Sequence, residues 1–426
     1  MSRFFVPVPN RFIQTLLKHL QRHQRTTFLV ASGLSTAGSF AGLTAKGWIL
    51  IQSNGNPLML ALHFGLLALP SLLLSGPAGV LTDRIGCQPV LIRAQWALFG
   101  AAALGALAIP LLEGQSQVAL LLLSTLLMGM ASSYELTARN KYSALLVEKP
   151  EQLAPFLASF SVVFNVGKLV GPPLGGWLLA LAGPRMALAI DALTYLLPIA
   201  SVVWVLRPDL DQEQRSQPGR KASLGAAWRS CGPTLRHVLR FSALACLVGF
   251  FHPGLAPLIA NKVVGPSPQA LGLFTSVLAA GSIVGGIVLQ RNSQKFIARP
   301  AILLGGCTVL TALAQLGMAW SAAYGVGSWR EPLSLAMAFL IGAGTAGLLA
   351  GTNLIGQMGA PMELRGRMAG LGQIAFLGGG GLSGFLAAIL TDAQGLTATF
   401  TVLGLAGLTV GLMELASRWK LGLRSA

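Results

Sequence analysis

Three ionisable residues stand deep inside apolar stretches of this chain: Lys168, Asp191 and His252. A charge in a hydrocarbon environment is costly and usually has a function. Asp191 is the carboxylate set furthest from any polar segment. Held between a low dielectric and a nearby cation such as Lys168, a carboxylate can exchange a proton against a substrate. One alternative is a structural Asp191–Lys168 pair that never titrates; another is that Lys168 binds an anionic substrate instead. Asn165 precedes Lys168 by three residues, on roughly the same helical face. Four further groups lie nearer the ends of their apolar runs, where long side chains can snorkel to the interface: Lys46 and His63 at one face, Glu135 and Glu414 at the other. Glu135, four residues before Arg139, can instead serve a gate. Trp48 is a further candidate for substrate contact, and Phe160, Phe164, Tyr195, Phe250 and Phe251 can line a pocket for an amphiphile.

These groups need elements that hold them at depth, and the composition names the elements. The 426 residues are 53% hydrophobic and 10% charged, with mean hydropathy +0.67. Soluble domains carry about 25% charged residues, so the chain reads as an integral membrane protein. Apolar runs of about 20 residues span a bilayer as helices. The runs are continuous rather than alternating, which excludes a barrel. Twelve spans are expected, near 27–50, 57–81, 89–111, 115–138, 154–181, 184–206, 238–261, 267–290, 297–319, 332–356, 366–391 and 396–417.

Charge sets their orientation. Of 30 Lys and Arg, twenty-five fall in the two termini and the even-to-odd loops. The opposite loops hold Arg185, Lys262 and Arg330, and Lys46 and Lys168 lie within spans. The positive-inside rule then puts both termini in the cytoplasm. The formal charge of +17 follows from this topology, and no basic patch suggests nucleic acid. Cys87, Cys231, Cys246 and Cys307 show no metal or disulfide spacing, with two expected in cytosolic loops and two in helices. No cleavable signal peptide is evident. Residues 1–26 read as an interfacial segment, with Phe12, Leu16, Leu17 and Leu20 on one helical face. Residues 27–206 form one six-helix half, 207–236 a polar cytoplasmic linker, 237–418 a second half, and 419–426 a tail.

The halves echo one another. Gly79-x-x-x-Asp83-Arg84 recurs 207 residues later as Gly286-x-x-x-Gln290-Arg291. Pro150, Leu153 and Ala158 recur 211 residues on as Pro361, Leu364 and Ala369. Weak internal symmetry of this kind marks secondary transporters.

GVLTDRIG, with Gly79, Leu81, Asp83, Arg84 and Gly86, resembles the loop signature of the major facilitator superfamily, although its usual basic pair is Cys87-Gln88 here. The resemblance implies that Gly79 admits a close helix. It also implies that Asp83 bonds a helix N-terminus or an arginine across the boundary between the halves, in one state of a rocking pair. Gly167-x-x-x-Gly171-Pro172-Pro173-Leu174-Gly175-Gly176 looks like the motif of that superfamily's antiporters. Its glycines pack tightly, and its prolines loosen a helix at the boundary. The wider run from Ala138 to Leu178, with Arg365-Gly366-Arg367 before span eleven, resembles the enterobactin (siderophore) exporter and macrolide-efflux-like branch.

Gly342-Ala-Gly344-Thr-Ala-Gly347 matches a dinucleotide fingerprint but lies inside a span, so it reads as packing. No ATP-binding or hydrolase motif occurs. The reading is an all-helical twelve-span transporter rather than an enzyme, expected as a monomer in the inner cell membrane. It would export a small amphiphilic metabolite, siderophore or drug by alternating access, driven by the proton gradient, with no cofactor or metal. Two rivals share the sequence: a lysophospholipid-flippase-like member, and a non-transporting membrane scaffold or sensor.

Overall fold

A computed structural model describes residues 19–54, 56–147, 150–206, 228, 232–292, 295, 299–325, 327–359 and 365–417. Most of the expected N-terminal segment and linker, the C-terminal tail, Cys231 and the repeat positions Pro361 and Leu364 lie outside these residues. Among the described residues every regular element is helical.

The first four helices are α1 (Gln24–Asn54), α2 (Pro57–Ile85), α3 (Cys87–Leu111) and α4 (Gly114–Ala144). Helix Pro150–Thr194 is broken at Gly183, whose φ of 77° only glycine adopts cheaply. Its arm before Gly183 is α5. Its arm after Gly183 is α6, continued by Leu196–Ala200 and a π-helical turn over Ser201–Val205. The seventh expected span is two helices, α7 (Pro233–Gly249) and α8 (His252–Val263), because the chain leaves helical geometry at Phe250 (φ −116°, ψ 34°). Then follow α9 (Pro268–Arg291), α10 (Pro300–Tyr324), α11 (Arg330–Gly359), α12 (Arg365–Gln394) and α13 (Leu396–Ser417).

The helices start and stop where local chemistry directs. Asn56 caps α2, its side chain accepting from Leu58 N at 2.7 Å ahead of Pro57. Ser267 does the same for α9, ahead of Pro268. Gly86, at φ 89°, ends α2 and starts α3. Cys87 is therefore not a loop residue: it opens α3 and is fully buried. Among the described residues Cys87, Cys246 and Cys307 form no disulfide.

Packing repeats with an offset of six spans. In the first half α1 packs on α5, α2 on α4, and α3 on α4. In the second, α7 packs on α12, α9 on α11, and α10 on α11. The halves meet through α5 against α9 and α2 against α12, with α8 touching α1 and α2. Nine described segments are long and apolar enough to cross a membrane. One of them, Val162–Val205, holds two expected spans, while α2 and α12 are not among them. Each of the twelve expected spans coincides with a helix or a broken helix. Side chains such as Leu73, Leu111, Leu181, Trp204, Trp320 and Met413, each over half exposed, form an outer surface suited to lipid rather than water.

Candidate functional site

The antiporter-like motif forms a close helix contact in the first half. An added Cβ at Gly167 would meet Thr36 at 2.9 Å. One at Gly171 would meet Phe40 Cβ at 2.5 Å and Ala37 O at 2.6 Å, and one at Gly175 would run into the Ala41 backbone. Three glycines at spacing four thus make a groove on α5 in which α1 lies. Pro172, partly buried, follows Gly171. Gly176 turns toward the other half instead, and its α-carbon faces the backbone of Gly272 on α9.

Other close approaches between the halves lie at this same end, near Asn54 and Pro57. Pro257 of α8 sits over Gly47, Phe64 faces Gly254, and Phe385 of α12 covers Gly65. Trp48 is buried in the apolar cluster that seals this seam, with Phe251, Leu255, Ile259 and Phe274. It is a packing residue there, not a group lining an open cavity.

Below the seam, the interior of the first half holds charge. Lys46 is completely buried. Its Nζ donates to Ser124 Oγ at 2.6 Å and lies 3.0 Å from Met128 Sδ, while Ser124 donates to Ala101 O at 2.6 Å. Asp191 on α6 is 1% exposed. Its carboxylate lies directly over Gly42 of α1, one turn before Lys46, where any side chain would collide with it. Neither of its oxygens meets a hydrogen-bond donor among the described residues. Tyr195, one turn on, bonds Ser39 of α1 at 2.7 Å. Lys46 is the cation whose field acts on Asp191. His63 completes the cluster, bonded to Leu43 O at 3.1 Å and Thr125 Oγ at 2.9 Å.

Two expectations change here. Lys46 and His63 do not snorkel, because helices α2, α3 and α4 enclose them. Asp191 is not set against Lys168 but faces α1 and Lys46. The spacing Gly38, Gly42, Lys46 on one face of α1 was the available signal, since Gly38 receives Thr194 as Gly42 receives Asp191.

Lys168 projects elsewhere. Its Nζ stands 5.8 Å from the Phe40 ring of α1, 5.7 Å from Phe164 of α5, and 5.8 Å from Phe376 of α12. Among the described residues no carboxylate lies within salt-bridge distance of it. Asn165 is exposed on the same helix. Phe376 packs on Phe250 at 4.3 Å, and Phe250 meets His252 edge-on at 5.3 Å. His252 is buried at the break between α7 and α8, close to the middle of the seventh span as expected. Phe160 is buried against Phe28, and Phe251 is sealed against Phe400.

At the opposite end, Glu135 is buried, paired with Arg139 at 3.1 Å and accepting from Gln95 at 3.2 Å. The Arg139 guanidinium also covers Phe160 at 4.9 Å and Phe164 at 5.2 Å. Glu414 is likewise buried, bonded to His237 at 3.0 Å. Neither acid snorkels. Asp83 pairs with Lys141 of α4 at 3.2 Å, within its own half and partly exposed. An added Cβ at Gly79 or Gly286 would meet nothing within 4 Å. Among the described residues the loop motif in this state neither spans the two halves nor admits a close helix. Arg84 is exposed beside a shallow groove with Pro77, Val80, Leu81 and Tyr134, and Gln290 and Arg291 are exposed at the end of α9. Among the described residues no group of metal-ligating side chains occurs.

A family model described as transmembrane secretion effector, of the major facilitator type, matches residues 17–422. The chain is 28% identical over 406 residues to the multidrug efflux pump Tap of Mycolicibacterium fortuitum, covering 90% of this chain and 94% of that one. It is 24% identical over 422 residues to the multidrug efflux pump Tap of Mycobacterium tuberculosis, covering 94% of each. A solved D-xylose–proton symporter has the same fold, with TM-score 0.71 at 13% identity over 94% of this chain and 99% of that one.

Proposed function

The chain belongs to the transmembrane secretion effector family of major facilitator transporters, and we propose that it is a proton-coupled exporter of small amphiphilic molecules. Drug-like compounds and siderophores are both of this chemical type. It works by alternating access, as a monomer in the inner membrane, with both termini in the cytoplasm and no cofactor beyond the proton gradient. With that orientation the Asp83 end faces the cytoplasm. The seam of Gly47, Gly65 and Gly176 then closes the outer side, and on this reading access is from the inner side.

The observation that carries proton coupling is the placement of Asp191. It is buried against Gly42, with no donor in hydrogen-bond geometry on its oxygens among the described residues, and Lys46, one turn along α1 from Gly42, supplies the opposing charge. Deprotonated, the two form a net-neutral couple. Protonated, Asp191 leaves Lys46 as a lone buried cation, which costs several kcal/mol in a low dielectric. Proton binding thus changes the energy of the environment around α1. That helix carries Thr36, Ala37, Phe40 and Ala41 against the glycine groove of α5, and Gly47 against Pro257 of the other half. A change in its seating reaches the seam directly. An exporter of this kind takes its proton from outside and releases it inside, so protonation at Asp191 must alternate with substrate occupancy.

The test is uptake of a dye and siderophore panel into inside-out vesicles with an imposed proton gradient, wild type against Asp191→Asn. Gradient-driven uptake by the wild type that disappears in the variant is expected. Gradient-driven uptake that survives in the variant removes Asp191 from coupling. Wild-type uptake insensitive to the gradient refutes proton antiport.

A further inference from the structure

We propose that Lys168 and the rings of Phe40, Phe164 and Phe376 form the substrate site, and that it selects amphiphiles with an aromatic body and an acidic group. The inference rests on the export reading above and names the substrate class for it.

Its basis is the isolation of Lys168. Lys46 is satisfied by Ser124 and faced by Asp191, and Arg139 by Glu135. Lys168 has three aromatic neighbours and, among the described residues, no carboxylate within salt-bridge distance. Ring faces at nearly 6 Å offset only part of the desolvation of an ammonium ion. An anionic ligand supplies the missing charge.

Position gives the second basis. Gly176 marks the seam on α5, and Lys168 lies eight residues before it, about 12 Å down the helix at 1.5 Å per residue. The site is thus near mid-membrane, below the closed end and toward the open one. Its rings come from both halves: Phe40 and Phe164 from the first, Phe376 from the second. Phe250, packed at a tilt against Phe376, extends the aromatic wall toward α7. Phe40, Phe164, Phe250 and Lys168 all retain exposed surface, so a ligand can reach them. Arg139 lies 5.2 Å from the centroid of the Phe164 ring, but its charge is matched by Glu135, which leaves Lys168 as the cation of this wall. A ligand held here touches both halves at once and can report its presence to both. A cationic amphiphile meets the same rings but is repelled by Lys168.

Two xanthene dyes of opposite charge separate these cases: anionic fluorescein and cationic rhodamine 6G. The full chain in phosphatidylcholine nanodiscs is titrated with each, read by fluorescence anisotropy. Wild type is expected to prefer fluorescein. Lys168→Gln should weaken fluorescein binding about tenfold or more, the loss of one charge-assisted contact, and leave rhodamine 6G unchanged or tighter. Lys168→Arg should retain fluorescein binding, and Phe376→Leu should weaken it severalfold. No fluorescein binding by the wild type, a preference for rhodamine 6G, or equal fluorescein affinity in Lys168→Gln would each overturn the proposal. Lys168-dependent binding without gradient-driven uptake of fluorescein into vesicles would refute the export reading and leave the site standing.

Discussion

The seam between α5 and α9 offers a sharp quantitative test, because two glycines face each other there with unequal room. A Cβ at Gly176 would collide with the N and Cα of Gly272. That neighbour is backbone, so no side chain can swing aside, and Gly176→Ala can be accommodated only by moving α5 away from α9. A Cβ at Gly272 would come to 3.2 Å from Trp177 N and 3.3 Å from Gly176 C, a misfit of a few tenths of an ångström. Overpacking of a close contact costs about 1–3 kcal/mol. Placed at a contact that exists only when this end is closed, that cost shifts the ratio of closed to open states about 5- to 150-fold. Gly272→Ala should shift it less than about fivefold. The assay is the labelling rate of Ala260→Cys, which is buried in α8 at the same end, by a water-soluble maleimide in a background lacking the four native cysteines. The rate should rise by that factor with Gly176→Ala and much less with Gly272→Ala. Equal rates in all three proteins, or a larger effect from Gly272→Ala, would refute the view that this contact holds the end shut.

Three other expectations follow from the same geometry. Lys46→Met and Asp191→Asn should each lower thermal stability in nanodiscs, by about 3–5 kcal/mol if the surviving partner stays charged; the double variant should recover part of that loss, and simple additivity would show that the two charges are independent. Gly171→Val should destabilise by at least about 1–3 kcal/mol, seen as a lower unfolding temperature, because Phe40 and Ala37 already touch the space its Cβ needs. Asp83→Asn should cost under about 1 kcal/mol in the same measurement, because its partner Lys141 is one-third exposed and the pair lies within one half.

Continuous apolar runs and the distribution of charge carried the helix plan. A run of twenty apolar residues has few structures open to it in a bilayer, so spans were legible without knowledge of their neighbours. The glycine groove of α5 was equally legible, since spacing four on a membrane helix admits a partner whatever that partner is. The loop motif around Asp83 was visible, yet its partner was not, because a side chain in a rocking protein has different neighbours in each state.

Asp191, Lys168 and Lys46 show where reading the chain stops. Sequence by itself established that each is a charge held in an apolar helix, and that such a charge must be paired or used. It did not determine which helix face each side chain occupies after packing. A helix rotates until its small residues meet a neighbour, and that rotation is set by contacts hundreds of residues away. Tertiary packing put Gly42 opposite Asp191, which turned the acid toward Lys46. It also put Phe376 opposite Lys168, which left that lysine among rings drawn from both halves. The chain's own chemistry fixed what these groups are, and the long-range fit of small residues against large ones decided what each of them faces.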